Sequence, residues 1–399
     1  MRILFDARHS HCVDQTNYLI PMRKFLCVYA IFFIFSYAEA QSKKEILYVG
    51  TFSVRGSQGI YAYTFDRAKQ KLIPLQTVPS LESPTFLAIH PTKKYLYSVN
   101  RGKANIADQG GSVSAYGIDG ATGRLSGLNH KSSYGDGPCY VSIDNTGRYL
   151  AIAHYNEGNL TILSLFKDGQ IGGVSDAKKY SGNSVNPERQ ESSHVHAAVF
   201  SHDNKFLYVT DLGSDKIYIY GFDENAGTLQ SPETLEVTVA PGAGPRHITF
   251  HPTGNFLYLA EELTSTVAVF AVDKETGSLT VLQDTVRSLP DNFSDQNSSA
   301  DIHTAVSGKF LYMSNRGADI ISIFEIGADG KITARGYQST GGKTPRNFLI
   351  DPQGEYLFAA NQDSDTINIF RIDSKSGKLT PVGKPVSVPS PVCLKLVSL

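Results

Sequence analysis

Between residues 86 and 363 one arrangement of apolar and polar positions recurs six times. In 86–102, 140–156, 196–213, 247–263, 303–317 and 347–363 a short apolar run leads into a polar turn. A segment with an aromatic residue, a leucine and a second aromatic or similar residue follows. Short apolar runs bounded by turn formers predict strands. The central leucines are Leu96, Leu150, Leu207, Leu257, Leu311 and Leu357, spaced by 54, 57, 50, 54 and 46 residues. A third strand is predicted after each pair, at 113–118, 160–165, 217–222, 267–272, 321–326 and 367–372. Next comes a turn, such as Asp273 to Gly277 or Asp373 to Gly377, and a fourth strand starts at the leucine just after, for example Leu279 or Leu379. Four antiparallel strands recurring at roughly 50 residues predict the blades of a β-propeller. Independent β-sandwiches would not repeat one four-strand unit in this way.

The two ends of the chain complete the count. Met22-Arg23-Lys24, an apolar run over 25–37 and Ala38-Glu39-Ala40 have the three-part plan of a secretory signal peptide. The run is shorter than the roughly 20 residues that span a bilayer, so the mature chain is expected to have no membrane span. Residues 1–40 are therefore expected to be an extension plus a signal peptide at 22–40, with Met22 the start. Residues 41–399 form a single domain, exported to the periplasm or beyond, or cytoplasmic if the signal is unused. Its 359 residues, at about 51 per blade, give seven blades. Strands at 47–52, 60–65 and from Leu72 make an incomplete blade that lacks its first strand, and Pro391 to Leu396 matches the first-strand pattern. The expected fold is all-β: a seven-bladed propeller with four antiparallel strands per blade, closed by the C-terminal strand joining the first blade. Closure removes the exposed sheet edges that β proteins must otherwise protect.

Composition agrees with this and narrows the partners. Gly (35), Pro (18), Tyr (21) and Phe (21) are abundant and Trp is absent, which favours turns and strands. With 37 basic and 38 acidic residues the net charge is −1, which argues against a nucleic-acid partner. Only Cys139 and Cys393 lie in the mature chain, and buried unpaired thiols are the simpler reading of them. No CxxC, HExxH or G-x-S-x-G motif occurs, which disfavours a zinc hydrolase or a nucleophile-elbow esterase. Nothing calls for an oligomer, and a monomer is favoured.

In a propeller the first strand of each blade lines the central channel and the second returns antiparallel to it. Starts of first strands and ends of second strands therefore share one face of the ring. The starts carry Thr85, Tyr140, His194, His196, Arg246, His247, Asp301, His303, Arg346 and Asn347. The ends carry Thr51, Asn100, Arg101, His154, Asn156, Asp211, Glu261, Glu262, Asn315, Arg316, Asn361 and Gln362. The opposite ends hold turn formers, with His90, His202 and His251 expected to be structural. Arginines suit phosphate or carboxylate, and imidazoles beside a carboxylate supply proton transfer near neutral pH. The mouth is expected to take a small anionic substrate. His194-x-His196 with His247 and His303 could approach a metal, but no carboxylate stands at ligand spacing and no metal or other cofactor is assigned. The inserts at 173–192 and 288–299 should lie on this face and are expected to be surface loops.

The rim motifs Ser193-His194-Val195-His196, Gly244-Pro245-Arg246-His247 with Glu262-Leu263, Asp301-Ile302-His303 with Asn315-Arg316, and Pro345-Arg346 with Gln362 resemble those of the seven-bladed propeller lactonase family. That family includes the bacterial propeller-type 6-phosphogluconolactonases, with the fungal carboxymuconate lactonizing enzyme as a more distant relative. With the repeat, the resemblance covers nearly all of 47–398. It implies hydrolysis of an anionic sugar lactone, 6-phosphogluconolactone in the named enzymes, without a metal. It places His196, Glu262, Arg246 and Arg316 in the catalytic set. The implied substrate-binding set is His303, Arg346 and Gln362, and His194, His247 and Arg101 from the rim reading join it. His196 or Glu262 would be the general base, and the arginines would hold the oxyanion and the phosphate. An export signal sits oddly with a cytoplasmic sugar phosphate. An exported non-catalytic propeller that binds a carbohydrate or protein, or a muconate-type cycloisomerase, are the alternatives.

Overall fold

The computed structural model describes residues 44–80, 82–102 and 110–399; the expected signal segment at 22–40 lies outside them. Strands form seven four-stranded antiparallel sheets. The second blade is β4 (Ser83–Ile89), β5 (Tyr95–Arg101), β6 (Ser112–Ile118) and β7 (Leu125–Ser132), from the axis outward. The third is β8 (Pro138–Ile143), β9 (Tyr149–His154), β10 (Asn159–Leu165) and β11 (Ile171–Lys179). The fourth runs β12 (Val195–Phe200), β13 (Phe206–Asp211), β14 (Lys216–Asp223) and β15 (Thr228–Thr238). The fifth runs β16 (Pro245–Phe250), β17 (Phe256–Glu261), β18 (Thr266–Val272) and β19 (Leu279–Arg287). The sixth runs β20 (Ser298–Thr304), β21 (Phe310–Arg316), β22 (Ile320–Ile326) and β23 (Ile332–Ser339). The seventh runs β24 (Pro345–Ile350), β25 (Tyr356–Asn361), β26 (Thr366–Ile372) and β27 (Leu379–Ser387).

The first blade joins the two ends of the ring. β28 (Pro391–Ser398) is its innermost strand and pairs with β1 (Glu45–Thr51), outside which lie β2 (Gly59–Asp66) and β3 (Lys71–Pro79). Arg67 ties the seventh blade to the first, with Nη2 2.7 Å from both Glu45 and Asp351. The ring thus closes as the sequence predicts.

Neighbouring blades are joined by a repeated contact. In the aromatic–Leu–Tyr motif of the second strand the first and third residues share one face. Tyr258 is fully buried and its hydroxyl donates to the carbonyl of Gly330 in the next blade (3.0 Å). Phe256 lies where a Cβ on Gly330 would collide with it, at 2.3 Å, and Gly330 has φ +80°. Only glycine meets both demands. Tyr97 with Gly169 (2.9 Å), Tyr208 with Gly277 (2.8 Å) and Tyr312 with Gly377 (2.9 Å) repeat the contact. The leucine between the aromatics packs on the opposite face, and all six leucines of the repeat are fully buried.

Removing one of these hydroxyls leaves a buried carbonyl unmatched. Tyr258→Phe is expected to cost about 1–2 kcal/mol. Thermal melting should show a midpoint roughly 2 °C lower, and the far-ultraviolet spectrum should be unchanged.

Candidate active site

Every innermost strand carries a β-bulge near its mouth end. The register slips past Thr85 in β4, Cys139 in β8, His196 in β12 and Arg346 in β24. It slips past Arg246 and His247 in β16, past Ala300 and Asp301 in β20, and past Val392 in β28. A bulge leaves a residue without a ladder partner and re-aims its side chain. Here the freed side chains turn toward the axis: Thr85, Cys139, Arg246, Arg346 and Val392, with Phe86 and His247, line one small cavity. Five of the bulged strands have proline just before the slip, at Pro84, Pro138, Pro245, Pro345 and Pro391, a residue that strands tolerate at first positions and bulges.

Above this cavity the ends of the second strands contribute alternate residues. Asn100, His154, Asp211, Glu261, Asn315 and Asn361 are buried within their blades. Asp211, for instance, accepts from Ser193 Oγ (2.5 Å) and the His194 amide (2.7 Å), and Glu261 from Thr266 (2.5 Å). Burial raises the Glu261 carboxyl to about 7. The Glu pair expected at the mouth is therefore corrected to Glu262 alone, because adjacent strand residues face opposite sides.

Glu262 is the centre of the site. It is 3% exposed. Its Oε2 lies 2.8 Å from Arg246 Nε and 3.1 Å from Arg316 Nη2, and its Oε1 lies 2.6 Å from Arg189 Nη2. Burial works to raise this carboxyl, but Arg316, Arg246 and Arg189 hold it well below the usual carboxylate range. His196 Nε2 is 3.9 Å from Oε2. Burial, with Arg246, His247 and Arg346, pushes His196 well below an ordinary imidazole, so it is neutral at neutral pH. Arg246 also donates to the Ala300 carbonyl, and burial and Arg316 lower it to about 10.

Arg189 was not among the residues expected from the sequence. It comes from the segment between β11 and β12, an irregular and mostly exposed stretch as expected, but one tied down at Gln190. Residues 173–179 belong to β11. Beyond it, Gln190 is fully buried and donates to Leu212 O and Asp215, both at 2.8 Å. Arg189 then reaches Tyr155 Oη (3.2 Å) as well as Glu262. The 288–299 insert is also tied down: Asn297 donates to Ser265 Oγ (2.8 Å) and Asn315 Oδ1 (3.0 Å).

The remaining expected residues differ in their partners. Arg346 stacks over Phe52 (5.4 Å) and has no carboxylate partner among the described residues. Burial, together with Arg246 and Arg316, lowers it well below its usual value. Arg101 donates to Asn156 (3.2 Å). His194 uses both ring nitrogens, on Tyr155 O (2.8 Å) and Glu191 (3.1 Å), and stacks on Tyr155. It braces the rim. His247 and His303 lie at 2.8 and 2.9 Å from the two oxygens of Asp301. Gln362 donates to Asp363 (3.1 Å) outside the arginine cluster. Of the four histidines expected to converge, only His196 lies directly beside Glu262 and its arginines. Cys139 and Cys393 are free, and burial pushes each thiol up to about 11. On the far face His90 and His251 bond Gly147 O (2.9 Å) and Gly308 O (3.0 Å) of the next blade. Among the described residues no group of three or more His, Cys, Asp or Glu could hold a metal ion, and no helix is long and apolar enough to cross a membrane.

The family described as lactonase, 7-bladed beta-propeller, matches residues 46–396. The chain belongs to this family. It is 35% identical to the 6-phosphogluconolactonase of Bacillus subtilis over 355 residues, 89% of this chain and 99% of the relative. The 6-phosphogluconolactonase of Formosa agariphila is 33% identical over 338 residues, 84% and 94% of the two chains. The structure of the periplasmic gluconolactonase of Pseudomonas aeruginosa superposes with a TM-score of 0.82 at 33% identity, covering 89% of this chain and 99% of that one. This family member is a lactone-hydrolysing enzyme.

Glu262 is also central to stability. Glu262→Gln leaves three arginines clustered without their counter-charge, and is expected to cost roughly 3–5 kcal/mol, read as a lower urea midpoint. The folded carboxyl titrates below its ordinary 4.5, so its contribution is complete above that pH and is lost on acidification. The gap between wild type and variant should be constant from about pH 8 to 5 and shrink below that.

Proposed function

We propose that the chain hydrolyses an anionic sugar lactone, of the 6-phosphogluconolactone kind, at the Glu262 cluster. The observation that carries this reading is the charge imbalance. Arg189, Arg246 and Arg316 surround a single buried carboxylate, while Arg346 stands beside them with no carboxylate of its own among the described residues. A buried excess of guanidinium favours a ligand that brings negative charge with it.

The chemistry divides accordingly. Glu262 fixes Arg246 and Arg316, and these are aimed to stabilise the oxyanion that forms when water attacks the lactone carbonyl. Arg346, with Arg101 at the rim, receives the anionic group at the other end of the sugar. Proton transfer belongs to an imidazole. Both oxygens of Glu262 are engaged by guanidinium groups, whereas a buried neutral imidazole can present an open nitrogen lone pair. No covalent nucleophile is needed.

The assay follows acid release from freshly prepared lactones, corrected for spontaneous hydrolysis. Arg316→Ala is expected to lower kcat roughly 100-fold or more. Arg346→Gln should raise KM for the phosphorylated lactone at least tenfold and change KM for gluconolactone much less. Equal rates for wild type and Arg316→Ala contradict this reading.

The segment at 22–40 supports export, in line with the periplasmic location stated for the Pseudomonas relative. Amino-terminal sequencing of the protein from fractionated cells should give Gln41 as the first residue. An intact amino terminus in the cytoplasmic fraction contradicts export.

A further inference from the structure

The cavity formed by the bulges, lined in part by Arg246 and Arg346, has space for about one water molecule. Among the described residues, Thr85 Oγ1 and His247 Nε2, both on lining residues, have neither a hydrogen-bond nor an ion-pair partner. Their residues are 6% and 4% exposed, so bulk water does not satisfy them. Buried polar atoms left unmatched are costly, and a polar cavity of this size is a site for ordered water.

The tautomer of His247 follows from its other partner. Nδ1 lies 2.8 Å from Asp301 Oδ1. A carboxylate only accepts, so Nδ1 carries the proton and Nε2 presents its lone pair. Asp301 is itself fixed by the amides of Ile302 (3.1 Å) and Phe348 (3.3 Å), by the Asn347 side chain, and by His303 on its other oxygen. The ring is held by the edges of Tyr140 and His196 at centroid distances of 5.2 and 5.3 Å. A carboxylate that orients an imidazole whose second nitrogen is open is the arrangement of a general base.

We propose that Thr85 Oγ1 and His247 Nε2 hold the hydrolytic water, and that His247, oriented by Asp301, is the general base that activates it. This rests on the lactone-hydrolase reading. The water O–H bond breaks and its proton passes to His247 Nε2 as the oxygen bonds to the carbonyl carbon. The carbonyl π pair moves to its oxygen, facing the arginines. Collapse of the tetrahedral intermediate breaks the ring C–O bond. The leaving oxygen then takes the proton from the imidazolium, giving the hydroxy acid. Asp301 stabilises the imidazolium without being protonated.

The charged and titratable groups facing His247 are Arg246 beside it on β16, Asp301 and His303 on β20, His196 on β12, Tyr140 and Cys139 on β8, and Arg346 on β24. Burial and Arg246 lower its titration to about 4, against Asp301. The base is therefore neutral and available through the neutral range.

The test is the pH dependence of kcat and KM for the full chain and two variants, with affinity for the product sugar acid measured by calorimetry. His247→Gln is expected to lower kcat 100-fold or more, change KM less than threefold, retain product binding and lose the acid limb of kcat. Thr85→Val, close in shape, should lower kcat about tenfold and leave the acid limb in place. A folded His247→Gln variant with kcat within threefold of wild type overturns the proposal, while loss of activity in Arg316→Ala would still uphold the lactone reading. If His247→Gln does not fold, an unchanged kcat in Thr85→Val overturns it. A wild-type chain that accelerates no sugar lactone overturns both.

Discussion

Each of the seven inner strands has at least one residue more than the strand beside it can pair. That surplus builds the site. A regular strand lining the channel would alternate its side chains between the flanking blades and bring few of them to the axis. The bulge instead frees at least one residue of each blade from the ladder, and among these are Arg246, His196, Arg346 and Thr85. Because neighbouring blades are locked by the tyrosine–glycine contacts, these residues are held by a rigid ring and not by loops. On the proposed reading, such support would keep the catalytic groups in fixed positions.

Burying several arginines at an axis carries a large desolvation cost unless counter-charge is present. Glu262 supplies part of it, and its three guanidinium partners come from different places in the chain: the same blade, the next blade and the segment between β11 and β12. The carboxylate therefore does two things. It ties separate elements together, and it orients guanidinium groups that would otherwise repel. On the proposed reading, the uncompensated remainder, Arg346 above all, is the part left for a ligand. Asp301 holds His247 and His303 in the same manner, so one carboxylate organises guanidinium groups and another organises imidazoles.

Much of the fold was legible in the sequence, because the periods of the strands and of the blades are both written in apolar positions. The aromatic–Leu–Tyr motif and the turn glycine were each visible alone, but their contact joins residues about 70 positions apart in neighbouring blades. Topology also placed the rim residues on one face. It could not sort them by partner, since one extra residue per strand changes which side chains face inward. The proline that precedes five of the bulges was a usable signal for this. Arg189 carried none: it lies in a polar segment without strand periodicity, and only the buried anchor at Gln190 brings it over Glu262.

The central claim is that the bulge residues and the Glu262 cluster form one pocket that binds a sugar acid by its charge. A crystal structure with the product 6-phosphogluconate bound tests this most directly. The account predicts the phosphate against Arg346 and Arg101, the carboxylate within hydrogen-bonding distance of Arg246 and Arg316, and an ordered water between Thr85 and His247. A product molecule seated on the far face of the ring, or one in the mouth that touches none of these arginines, would contradict it.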